Sequence, residues 1–290
     1  METPNEQLLY LLDLQVKKLE DLKKHMGNLS GLLEDQSKKI EQIRYSAAIP
    51  MQGDYFEKVG AQQLSSWETI QTIAERRMSF ARFGDGELGL AADPNRNIRF
   101  QRGSMDLARA LRGVLNSKNE SLLLGMPGVV VDVFWMTSLA RYWGVLSSVI
   151  PARGLWGDST CTRASAFKRD GSALVDAWRA CWDSRHLTVV TGRGSRFEPI
   201  GELFSNVKDI SYVEAEPKHA FGDLHRVQET ISAQENDLIL IALGPAGTVL
   251  ASNLADAGMQ ALDIGHLPNS YVEAFEGGPR PESLPFERKK

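Results

Sequence analysis

Short apolar, β-rich runs alternate with segments of helical periodicity over most of this chain, and that alternation leaves few folds open. The runs lie at 79–83, 122–125, 187–191, 210–214, 238–243 and 261–264. Helical patterns separate them, at 67–77, 105–115, 129–146, 172–182, 222–233 and 248–257. Strands joined through helices pair in parallel, and the crossovers cover the sheet from both sides. The pattern predicts an α/β fold with a mostly parallel, Rossmann-like sheet and helices on both faces. No internal repeat interrupts it, and the stretch is long enough for one core.

Residues 1–45 are of another kind. Leu8, Leu12, Leu19, Leu22, Met26, Leu29, Leu33, Ile40 and Ile43 recur at steps of four and three, with Gln15 and Gln36 in the same series. So narrow a stripe suits a partner helix better than a globular core. It predicts an N-terminal coiled-coil helix and a homo-oligomer, against which stands a single amphipathic helix folded back on the body. Over 46–65 the series lapses and Pro50, Gly53 and Gly60 appear, which predicts a linker. The body is expected over 66–276. A flexible tail is expected over 277–290, rich in proline and ending in Arg288, Lys289 and Lys290.

Composition narrows the function. With 33 Lys+Arg against 37 Asp+Glu the net charge is −4, so no basic excess marks a nucleic-acid binder. Cys161 and Cys181 alone make neither a disulfide framework nor a zinc set, and read as buried thiols. The acidic N-terminus does not resemble a secretory signal. The longest uncharged run, 238–255, contains Gly244, Pro245 and Gly247 and reads as strand, turn and helix rather than a transmembrane segment. A cytoplasmic protein is expected.

In open α/β sheets ligands bind beyond the carboxyl ends of strands. Arg82-Phe83-Gly84-Asp85-Gly86-Glu87 follows the first run: its two carboxylates make either a metal–diphosphate site or a glycine turn opening a helix. Thr191-Gly192-Arg193-Gly194-Ser195-Arg196 is an anion cradle or a solvated loop. Gly244-Pro245-Ala246-Gly247-Thr248 presents helix-end amides to an anion, or is simply a tight turn. Asp263-Ile264-Gly265-His266 ends the last run with a histidine able to bind phosphate or move a proton. Lys218 and His219 add donors at the same edge.

Together these segments resemble the GT-D-fold glycosyltransferases, bacterial enzymes that use sugar nucleotides to extend glycans. The resemblance runs from about Trp67 to Phe275 and rests on five segments in order. They are Arg82 to Glu87; Ser195-Arg196 with Glu202-Leu203-Phe204; Pro217 with Ala220-Phe221; Leu243-Gly244-Pro245 with Thr248-Val249-Leu250-Ala251; and Asp263 to His266. The chain departs from the family at Gly201-Glu202, His219, Ala246 and the Pro268-Asn269-Ser270-Tyr271 stretch before Glu273. The resemblance implies a metal-dependent hexosyltransferase acting on a nucleoside diphosphate sugar, a UDP sugar above all, and a glycan acceptor. It puts Mn2+ or Mg2+ on Asp85 and Glu87, and the nucleotide on Arg82, Gly84, Gly86, Arg193, Ser195, Arg196, Lys218, His219, Gly244 and Pro245. His266 and Glu273 are its candidates for the base. Two rivals are a non-catalytic coiled-coil assembly subunit that binds nucleotide or glycan, and an α/β methyltransferase, which has no use for Asp85 and Glu87.

Overall fold

A computed structural model describes residues 4–128, 133–152 and 154–284. In chain order the elements are α1 (Pro4–Lys58), α2 (Ser66–Arg76), β1 (Ser79–Arg82), α3 (Asp85–Ala92), β2 (Asn97–Ile98), β3 (Gln101–Arg102), α4 (Met105–Leu115) and β4 (Leu122–Met126). Then come α5 (Val133–Val149), β5 (Gly157–Asp158), α6 (Ala164–Trp182), β6 (His186–Gly192), α7 (Gly201–Phe204) and β7 (Asp209–Ala215). The chain continues through α8 (Leu224–Ser232), β8 (Leu238–Ala242), α9 (Pro245–Asp256), β9 (Ala261–Asp263) and α10 (Leu267–Phe275). Contacts divide it into two units, Met1–Ile49 and Pro50–Lys290.

The first unit is helical over its described residues. Every apolar member of the heptad series is exposed, from Leu8 at 58% to Ile43 at 69%. The i,i+4 pairs Asp13–Lys17, Glu34–Lys38 and Asp35–Lys39 lie along the helix surface. Helix also covers part of the segment expected as a linker, running through Pro50 and Gly53 to Lys58. Tertiary packing explains it. Met51, Tyr55 and Val59, four apart, are buried; Tyr55 donates to Pro127 O, and Trp143 Nε1 donates to Asp54.

In the second unit seven parallel strands form one sheet, in the order β5-β4-β1-β9-β8-β6-β7. The six expected strands are all present, and the mostly parallel α/β architecture stands. α2, α6, α7 and α10 cover one face with the main core, where Trp178, Trp182 and Phe204 stack at 5.6 and 4.9 Å. α3, α4 and α9 pack on the other side. Local signals agree with this placement. Ser65 and Glu68 form a reciprocal capping box on α2, and Ser104 caps α4, whose Leu107, Leu111, Val114 and Leu115 are buried. α6 begins earlier than expected, at Ala164, with Gly171 (φ 60°) breaking the helix just before residue 172. The start of the helix expected over 129–146 lies outside the described residues, as does the end of the tail, 285–290.

The carboxyl ends of β1 and β9 are tied by a buried ion pair. Arg82 Nη2 lies 3.3 Å from Asp263 Oδ1, and Arg82 Nε donates to Asp263 O at 2.9 Å. Their side chains are 12% and 2% exposed. Thr162 Oγ1 accepts from Arg82 Nη1 at 2.8 Å, and Thr248 Oγ1 donates to Arg82 O at 2.8 Å, so four segments meet on one guanidinium and its own carbonyl. Removing one partner strands a buried charge. Arg82→Ala is expected to cost about 3–5 kcal/mol in urea unfolding, whereas a paired Arg82→Met/Asp263→Leu variant should recover a large part of that loss.

Candidate functional site

Two adjoining clefts, each of about 90 Å³, open at the carboxyl ends of the strands. Both are bounded by Ala242, Gly244, Gly265 and His266. This shared wall is built from backbone that a side chain would obstruct. Gly244 has φ 55°, and a Cβ there would stand 2.5 Å from the Phe100 ring; Gly265 has φ 50°, and its Cβ would meet Arg82 Nη2 at 2.2 Å. Pro245 occupies the first turn of α9, which starts at this wall and aims its amino terminus at the cleft edge.

On one side the lining is polar and cationic: Arg82, Gly84, Glu87, Ser159, Thr160 and Arg163, with Trp135 at its edge. Arg82 is largely spent on Asp263, Thr162 and Ser159 O. Burial alone would lower its pKa, but Asp263, Cys161 and Glu87 outweigh that, and the guanidinium stays charged. Arg163 pairs with Glu282 of the C-terminal segment; burial lowers the Arg196 pKa, and the charge of Glu282 offsets this in part. On the other side the lining is mainly apolar, with Phe100, Phe197, Pro217, Ala220 and Leu243, together with Arg193, Ser195 and Arg196.

Asp85 and Glu87 open α3, which follows β1 directly. Successive helical residues rotate by about 100°, so positions i and i+2 diverge. Glu87 lines the cationic cleft and accepts from Gly84 N at 2.8 Å, as a capping residue does. Burial, then the charge of Asp263, raises its pKa. Asp85 lines neither cleft; its Oδ2 lies 3.5 Å from Arg96 Nη2, and Arg96 also donates to Tyr142 OH at 2.8 Å. Among the described residues no group of three His, Cys, Asp or Glu side chains is placed to hold a metal.

His266 stands between the two clefts, its Nδ1 3.4 Å from Arg196 Nη2. Burial, then Arg163, Arg196 and Arg82, lower its pKa to about 3, so the ring is neutral. With Arg196 as donor to Nδ1, the ring proton resides on Nε2. That makes His266 a hydrogen-bond donor and a weak base. Glu273, the other acid–base candidate, lines neither cleft and faces Lys168 at 3.2 Å.

The structure thus gathers Arg82, Gly84, Glu87, Arg193, Ser195, Arg196, Gly244 and His266 around the two clefts. Gly86, Lys218, His219 and Pro245 line neither. His219 is structural in its contacts: with φ 57°, its N donates to Phe100 O and its Nδ1 accepts from Arg102 N at 3.0 Å, which holds the β2–β3 turn in place. Sequence reasoning missed Ser159, Thr160 and Arg163, because β5 has only two residues and gives no periodicity. It also missed Phe100 and Asn269, which no motif marks.

Comparison with known proteins identifies the family and the fold. Residues 80–280 match the family described as the glycosyltransferase GT-D fold. The chain is 27% identical over 219 residues to the glycosyltransferase GlyD of Streptococcus pneumoniae serotype 4, and 27% identical over 230 residues to a probable glycosyl transferase, Gly, of Streptococcus gordonii. The aligned parts are 70% and 74% of this chain but 26% and 33% of those proteins, so the chain spans only about a quarter to a third of their length. Two solved structures share the fold. One, described as the highly conserved domain of unknown function 1792 with a distinct glycosyltransferase fold, has a TM-score of 0.71 at 23% identity, covering 84% of this chain and 90% of that one. The other, described as a new glycosyltransferase (DUF1792) from Streptococcus sanguinis, has a TM-score of 0.66 at 24% identity, covering 75% and 85%. Matched over most of its second unit, the chain belongs to the glycosyltransferase GT-D fold family.

Proposed function

We propose that the chain transfers a hexose from a nucleoside diphosphate sugar, a UDP sugar, to a glycan acceptor with the help of a divalent metal. The observation that carries this reading is the cationic cleft against the amino terminus of α9. Arg163 and the neutral, donating His266 border it, and Arg196 reaches the same histidine from the other cleft. Fixed positive groups and helix-end amides stabilise a diphosphate as it departs and gathers charge. Gly244 and Gly265, bare of side chains, let Phe100 and Arg82 pack directly on the main chain between the clefts.

A divalent ion, Mn2+ or Mg2+, can bind through a single carboxylate and complete its shell with phosphate oxygens and water, and Glu87 on the cleft wall fits that description. Glu87 would hold it from the cleft wall, while Asp85, outside the cleft lining and 3.5 Å from Arg96, would act on it only at longer range. Such an ion would neutralise charge developing on the leaving diphosphate. The proposed homo-oligomer rests on the exposed heptad stripe of α1. No helix among the described residues is long and apolar enough to cross a membrane.

In a transfer and donor-hydrolysis assay with UDP sugars and Mn2+, Glu87→Ala should lower turnover by about a hundredfold or more, and Asp85→Ala by less. Unchanged turnover in both would overturn the metal assignment. Metal-dependent nucleotide binding without any transfer would favour the non-catalytic assembly subunit.

The neutral His266 also sets a pH dependence. Its folded pKa lies below the unfolded value of about 6.5, so the unfolded chain takes up a proton first. The stability linked to it is present above that value and is lost as pH falls toward about 3. In unfolding titrations, wild type should lose more stability between pH 7 and pH 5 than His266→Gln.

The coiled coil has its own test. In the full chain, Leu22→Asp with Leu29→Asp should reduce the mass measured by light scattering to that of one chain, while the circular dichroism of the α/β body persists.

A further inference from the structure

The two clefts differ in chemistry while sharing a wall, and a nucleoside diphosphate has the same division: a charged diphosphate and a flat base with apolar faces. We propose that the apolar cleft is the nucleobase subsite, with Phe100 as its stacking platform and Asn269 as the group that meets the base edge. This rests on the nucleotide-sugar reading above and assigns the part of the donor that the arginines leave unaddressed.

Phe100 stands at the turn between β2 and β3, its ring seated directly on Gly244, beside the main chain that would meet the phosphates. The turn is anchored at several points. His219 N donates to Phe100 O at 2.8 Å, Arg102 N to His219 Nδ1 at 3.0 Å, and Phe221 N to Gln101 Oε1 at 3.4 Å. A ring held in this way binds a base without first having to be ordered.

The polar groups around the cleft argue against a sugar acceptor in the same place. A pyranose presents several hydroxyls, each needing a partner. Arg193 is paired with Glu216 at 3.1 Å, Ser195 Oγ accepts from Phe197 N, and both ends of the Gln101 amide are engaged. Asn269, in the first turn of α10 and part of the cleft lining, is different: among the described residues its carboxamide makes no hydrogen bond, which leaves its donors and its acceptor available to a ligand. A carboxamide matches an edge with an N–H beside a carbonyl, the pattern on uracil.

Calorimetric titration of the full chain with UDP and with inorganic pyrophosphate tests this. Phe100→Ala should weaken UDP about tenfold or more and leave pyrophosphate unchanged. Phe100→Leu, which keeps the bulk without the π face, should also weaken UDP, and Phe100→Tyr should restore it. Asn269→Ala should weaken UDP alone. Equal loss of UDP and pyrophosphate in Phe100→Ala, or UDP affinity unchanged in both alanine variants, would overturn the proposal. Wild type that binds pyrophosphate but gains nothing from the nucleoside would overturn it and leave the cationic cleft standing; wild type that binds neither would end the donor reading as well.

Discussion

The site depends on one buried ion pair. Arg82 leaves β1 at its carboxyl end and reaches across to Asp263 at the end of β9, and neither charge is stable there without the other. Satisfying the remaining guanidinium protons draws in Thr162 and Ser159 O from the segment after β5, while Thr248 brings in α9 by capping the Arg82 carbonyl. The loops that bound the cationic cleft are thus fixed by a residue whose hydrogen bonds are mostly internal. Arg82 serves the cleft more as a frame than as a contact.

Charge in the cleft is arranged in layers around that frame. Burial pushes Glu87 and Asp263 toward protonation, and burial together with three arginines holds His266 neutral. A dianionic ligand entering here meets fixed positive groups, one neutral donor and the amino end of α9, at an edge where solvent screening is weak.

The sheet was legible in the sequence because its central strands are buried on both sides and stand out as continuous apolar runs such as Leu238 to Ala242. Its switch-point turns were legible through their glycines. What escaped notice lacked periodicity. β5 is two residues long, α10 hides behind Gly265 and Pro268, and the β2–β3 turn lies among arginines and asparagines with no apolar pattern. The spacing of Asp85 and Glu87 read as a chelating pair, but a helix starting at Asp85 turns them apart, an outcome already contained in the alternative of a glycine turn that opens a helix. Asp263 holds the segment after β5 by way of Arg82. Roles that depend on distant contacts, such as the clamp made by His219, leave no local mark at all.

The partition between the clefts is made of main chain, with Phe100 leaning on it from one side and the Arg82 guanidinium from the other. Neither glycine can acquire a side chain without dislodging its neighbour. Mutation therefore has little purchase on the partition itself. Whatever the two clefts accept would then be altered by the side chains around their rims, and the partition itself would stay as it is.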